Sequence, residues 1–322
     1  MQTYLKSRPV WVQFFIFLGI AAASSLVVLG FGSIVLASTL GIPVREMGQA
    51  PSGAGPVSDR VLWGIRMLVL FQFVGLFVLP SLIFAKACDP APGRYLGLRA
   101  PWRVSFWVLG SAALLLALPL VEFTGLLNRQ IPFSAELTQK IKFWEESAGR
   151  TIQLLLQRHD IGTLALNLLF IAVFAGVGEE LFFRGVLQRL LIRGTRSPWA
   201  GILLTAAAFS FFHFQFYGFV PRFILGALLG AAYWYSGSLW VSIVAHTLFD
   251  AAQLIAAWFR PELATADSVF NASITTLLPA ALISAALTGL LLWTMKRHSR
   301  SSFTETYADE LRPAASENEL SI

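Results

Sequence analysis

Two adjacent carboxylates, Glu179 and Glu180, and an arginine four residues on, Arg184, stand in the apolar run AGVGEELFFRGVLQRLL at residues 175–191. An ionisable group in hydrocarbon costs roughly 2.5 to 3.5 kcal/mol on insertion scales, so each of the three needs a partner or a task. Glu180 and Arg184 are spaced to pair along one helix, which leaves Glu179 free. Later apolar runs supply two imidazoles. His213 ends FSFFH, with Phe209 one turn before it, and His246 begins HTLFD, with Asp250 one turn on and on the same helix face. The other two histidines, His159 and His298, fall in charged boundary regions. Singly, each feature has a bland reading: a structural ion pair, a packed histidine, a local hydrogen bond. Together, a free carboxylate and imidazoles in a partly dry site are the equipment for activating water and stabilising an oxyanion.

The elements that must position these groups are transmembrane helices. Of 322 residues 56% are hydrophobic and 13% charged, against about 45 to 50% and about 25% in soluble domains. Apolar runs long enough to cross a bilayer lie at about 14–40, 67–85, 104–123, 161–178, 199–217, 219–236, 239–259 and 273–295. The fold class is therefore all-α: a polytopic membrane helix bundle of about eight transmembrane helices. Lys6 and Arg8 precede the first run as in a secretory signal, but the run is too long for one, so it reads as a retained helix. The single cysteine, Cys88, excludes an intrachain disulfide and a thiolate metal site.

The net charge of +6 does not mark a nucleic-acid partner, because the cations gather beside alternate helix ends. Lys6 and Arg8; Lys86, Arg94, Arg99 and Arg103; Arg189, Arg193 and Arg196; and Lys296, Arg297 and Arg300 share one expected side. Both termini are thus expected to be cytoplasmic, with the chain integral to the cell membrane. The loop at 124–160, also basic, contradicts the simple count. Within it, residues 134–158 place Leu137, Ile141 and Trp144 at helical spacing among charges, the pattern of an interfacial helix. Residues 41–58 read as a loop and 299–322 as a disordered tail. The organisation expected is N-terminal helices over 1–160, a core over 161–260 that holds all the chemistry, a last span over 261–298, and the tail. Gly226 and Gly230 form a small-xxx-small pair that allows close helix approach.

The order EExxxR, FxxxH, HxxxD over about residues 161–260 resembles the CAAX protease and bacteriocin-processing family of intramembrane proteases, which includes the type II CAAX prenyl endopeptidase. Asp250 departs from the asparagine typical of the prenyl proteases, so the resemblance is to the peptidase rather than to a prenylated substrate. It implies that Glu179, with His213, activates the attacking water, and that His246 and Asp250 face the carbonyl oxygen. Because an ionised aspartate repels an oxyanion, Asp250 is expected to orient His246. Arg184 would hold Glu180, and Phe209 would pack beneath His213. The partners implied are the bilayer and a membrane-associated or C-terminal peptide substrate.

A zinc ion could be held by Glu179, His213 and His246 with an open water position; without HExxH spacing, a metal-free glutamate mechanism is preferred. Glu179 precedes three arginines, Arg184, Arg189 and Arg193, which sets it roughly 7 to 20 Å from the basic boundary and suggests a site open to the cytoplasm. His213, some 17 residues after Arg196, would lie about 25 Å along its helix, which calls for a projecting hairpin or a strong tilt. The rival readings are an ion- or proton-coupled transporter, in which the same groups relay cations, and a non-catalytic scaffold. Transporters commonly show repeated halves, and no matching set of polar residues occurs in the first three spans.

Overall fold

The structure, a computed structural model, describes residues 5–41, 57–260 and 274–308. Most of the expected loop at 41–58 and of the tail at 299–322 lies outside the described residues. Among those described, no strand occurs and seven helices are long and apolar enough to cross a membrane. These are α1 (Val10–Leu40), α2 (Asp59–Cys88), α3 (Ser105–Arg129), α5 (Ile161–Thr195), α7 (Phe216–Ser236), α8 (Leu239–Phe259) and α9 (Ile274–His298). Helix α4 (Ala135–Leu156) carries the amphipathic segment, and α6 (Pro198–Phe211) is apolar but only 14 residues long. The eighth expected span is thus a short helix, about 21 Å against about 30 Å of hydrocarbon.

The short helix sets where His213 lies: α6 ends at Phe211 and His213 sits in the turn beyond it. Glu179 and His213 are each 17 residues from Arg196, the left-handed residue of the α5–α6 turn, so the two side chains come level. Phe214 adopts φ 52°, a strained conformation for a large aromatic residue, and turns the chain back toward α7.

Helices α5 to α8 form the centre, with α1 and α2 on one flank and α3 and α9 on the other. Close approach comes from missing side chains. A Cβ at Gly176 would stand 2.3 Å from Thr247 Oγ1 and 3.0 Å from the Thr247 backbone nitrogen, so α5 and α8 touch backbone to backbone one turn before the two glutamates. Pro119 interrupts α3, and the Ser284 hydroxyl of α9 inserts there, accepting from Leu120 N and donating to Leu116 O. Large apolar side chains such as Trp11, Phe15, Leu26 and Phe31 point outward, as lipid-facing residues do.

The basic segments meet at one end of the bundle. Lys6, Arg94, Arg99 and Arg189 line a single cavity of about 360 Å³ together with Gly237 and Tyr307. The expected disorder does not begin at Ser299: Phe303–Thr306 forms a helical turn and Tyr307 is buried, its hydroxyl donating to Arg189 O. An apolar ring over a guanidinium gives this short piece an anchor that its polar composition hides. At the opposite end α4 lies across the bundle. Ile141 is buried, and Leu154 and Leu155 pack on Leu62 and Ile65 of α2, while Leu137 and Trp144 stay partly exposed. Beside it, Asp160 caps α5 by accepting from the hydroxyl and backbone N–H of Thr163, which holds its carboxyl below the usual carboxylate range.

Candidate functional site

Helix α5 is underwound from Glu180 to Gln188, a nine-residue π-helical stretch that begins at the second glutamate. Such widened turns are rare and concentrate at functional sites. Every side chain in this stretch is buried. Arg184 Nη1 donates to Glu180 Oε1 at 2.6 Å, with both side chains fully buried, and Arg184 Nη2 donates to Gly226 O at 3.1 Å. One turn on, Gln188 Nε2 donates to Gly230 O at 3.0 Å. The glycine pair of α7 therefore does more than permit packing. It bares two carbonyls, four residues apart, to an arginine and a glutamine at the same spacing on α5. Gln188 was not singled out from the sequence, since one glutamine among arginines gives no signal.

Phe209 is the floor of the site. Arg184 lies over its ring at 4.5 Å, the His213 ring meets its edge at 4.8 Å, and its carbonyl is 2.7 Å from His213 Nδ1. A carbonyl only accepts, so this contact places the proton on Nδ1 and turns the Nε2 lone pair outward.

His246 lies among three carboxylates. Its Nδ1 is 2.9 Å from Glu180 Oε1, while Nε2 is 3.4 Å from Asp250 Oδ2 and 4.0 Å from Glu179 Oε2. The geometry departs here from the sequence reading, in which Asp250 oriented this ring. The closer partner is Glu180, fixed in turn by Arg184, so orientation comes from the buried pair on α5 and Asp250 meets the opposite nitrogen.

Glu179, His213, His246 and Asp250 line one cavity of about 580 Å³, whose other walls include Leu114, Val121, Ile152, Leu225 and Phe249. Glu180 and Arg184 do not line it; they stand behind it. Glu179 keeps 15% of its side-chain surface exposed and Asp250 23%. Arg222 of α7 also lines the cavity and was missed in the sequence. The available signal was its place in GFVPRFIL, a lone cation in an apolar run between two motif histidines.

Toward the basic end, Leu187, Gln188, Leu239 and Val241 are all buried. The lining residues farthest from that end, Ile152, Gly218, Pro221 and Gln253, belong to α4, the His213 turn and the outer end of α8.

Residues 161–252 match the family described as type II CAAX prenyl endopeptidase Rce1-like. The likeness is confined to this segment. The match falls on the four central helices that hold the cavity's polar groups and leaves the flanking helices outside it, so a segment similar to that endopeptidase family sits within a membrane-spanning bundle. No curated protein and no solved structure matches the chain. Within the Rce1-like segment fall all the residues of the three motifs, and Arg222 and Gln188 besides.

Proposed function

We propose that the protein is an intramembrane endopeptidase in which Glu179 activates water without a metal. The observation that supports this reading best is the difference between neighbouring glutamates: Glu180 is bound to Arg184 and His246, while Glu179 faces the cavity beside two imidazoles. Water held between Glu179 and His213 Nε2 gives its proton to Glu179 as its oxygen attacks the peptide carbonyl carbon. His246 donates from Nε2 to the developing oxyanion. Because Nδ1 donates to Glu180 at the same time, the ring carries both protons during this step, and Glu180 and Asp250 balance its charge. Glu179 then returns the proton to the leaving amine, which breaks the C–N bond and regenerates the carboxylate.

The residues present do not fit the alternative zinc site. Among the described residues no group of three His, Cys, Asp or Glu side chains is arranged to hold a metal ion. The test is incubation of purified protein with a peptide library, with and without a chelator. Cleavage that survives chelation and disappears in Glu179→Gln supports the proposal. Stoichiometric zinc lost together with activity, and restored by zinc, overturns the metal-free step. An absence of any product overturns the peptidase reading in favour of a cation relay or a scaffold.

A further inference from the structure

Among the described residues, Arg222 is the one arginine or lysine lining the cavity. It is held by Gln215, whose backbone oxygen accepts from Nη1 at 3.1 Å and whose side-chain oxygen accepts from Nη2. Gly218 lets it lie there, since a Cβ at that position would stand 2.2 Å from Nη1. Among the described residues no carboxylate pairs with it within 4.0 Å. Glu145 instead accepts from the backbone of Tyr217 at 3.0 Å. A guanidinium fixed in a largely apolar cavity without a counter-ion is incomplete on its own.

The geometry points to Arg222 as a specificity residue that binds a carboxylate of the peptide substrate beside the bond to be cut. This rests on the peptidase reading and names the substrate chemistry for that site. A carboxylate fits better than a phosphate for two reasons. Its two coplanar oxygens match the fork of a guanidinium, and a dianion would be repelled by Glu179 and Asp250 in the same cavity. The position is also informative. Counted from Gly237, between α7 and α8, Arg222 lies 15 residues back and His246 nine residues forward. At about 1.5 Å per residue, Arg222 is roughly 9 Å nearer the α4 end, the reach of about three extended residues. A substrate that enters from the α4 end therefore meets Arg222 before its carbonyl reaches His246. The flanking side chains of the substrate should be apolar, because Val121, Ile152, Leu225 and Leu254 surround the space between.

The carboxylate has two sources, a chain terminus or an Asp or Glu side chain, and the test separates them. Three pools of fluorescent apolar peptides are used, with free C-terminal acids, C-terminal amides, or amides carrying one internal aspartate. Binding of each pool to the full-length protein in detergent, and to Arg222→Gln and Arg222→Lys, is measured by anisotropy. The wild type is expected to hold one acidic pool about 10- to 100-fold more tightly than the neutral amides, the worth of a hydrogen bond to a charged group. Arg222→Gln should lose that preference and Arg222→Lys recover part of it. Where peptides are cleaved, the loss should appear in KM rather than in kcat. Equal binding of all three pools by the wild type, or an unchanged preference in Arg222→Gln, overturns the proposal. Because binding needs no turnover, a protein that discriminates but never cleaves would sink the peptidase reading while leaving the carboxylate site standing.

Discussion

Glu179 and Glu180 are neighbours in sequence, yet they belong to two different layers of the bundle. In the layer toward the basic end, Glu180, Arg184, Gln188 and the carbonyls of Gly226 and Gly230 bond to one another and are closed off. In the layer toward α4, Glu179, His213, His246, Asp250 and Arg222 surround open space. One layer uses its polar groups to hold helices together; the other leaves them for an incoming molecule. The difference teaches that a buried charge points to chemistry when it faces open space rather than a partner on a neighbouring helix. His246 joins the layers, with one nitrogen on the closed side and the other on the open side.

The sharpest way to break this comparison is to ask which face each layer serves, an all-or-none outcome. In a Cys88→Ser background, Gln253→Cys in the cavity wall and Lys142→Cys on α4 should react with an impermeant thiol reagent from the same side of the membrane, and Gly194→Cys from the other. Labelling of Gln253→Cys together with Gly194→Cys would show that the cavity opens at the basic end.

Next in size is Glu179→Gln, expected to lower kcat by about 10²- to 10⁴-fold, the usual worth of a general base. Its thermal unfolding should stay close to that of the wild type, because no short bond of Glu179 holds another helix. A large fall in melting temperature would place Glu179 in the closed layer instead. Glu180→Ala should behave the other way and lose folded protein by about 3 to 5 kcal/mol, since it strands the buried Arg184. Adding Arg184→Met should restore part of that loss; additive damage in the double variant would mean the two are not a pair.

Gly176→Ala is expected to destabilise by about 1 to 3 kcal/mol through contact with the Thr247 backbone. It should also weaken catalysis by parting α5 from α8, and an unchanged kcat would separate the helix contact from the site. The smallest effect is expected at Asp250. Because Glu180 already fixes the His246 ring, Asp250→Ala should reduce kcat by only about tenfold, the worth of one long charged hydrogen bond. Asp250→Asn should retain most activity, since the amide can donate to the oxyanion. A loss as large as that of Glu179→Gln would return the orienting role to Asp250.

Much of the helical bundle was legible in the amino-acid sequence, because in a bilayer every backbone group must be bonded within its own segment and a long apolar run can be little other than a helix. The pairing of Glu180 with Arg184 was legible for a related reason: helical periodicity sets neighbours four residues apart. The charge pattern likewise grouped loops at one end, and cations from three of the four groups line one cavity there. What the tertiary structure alone decided was everything that depends on distance between helices. The run at 199–217 stops at Phe211 because the chain turns through Phe214, and that choice brings His213 level with Glu179. Glu180 rather than Asp250 takes the near nitrogen of His246, because Gly176 lets α5 and α8 come into backbone contact. Arg222 joins the cavity because α7 folds back along α6. Local periodicity fixes which residues share a helix face; which faces meet, and which polar groups remain unused when they do, is set by packing across the bundle.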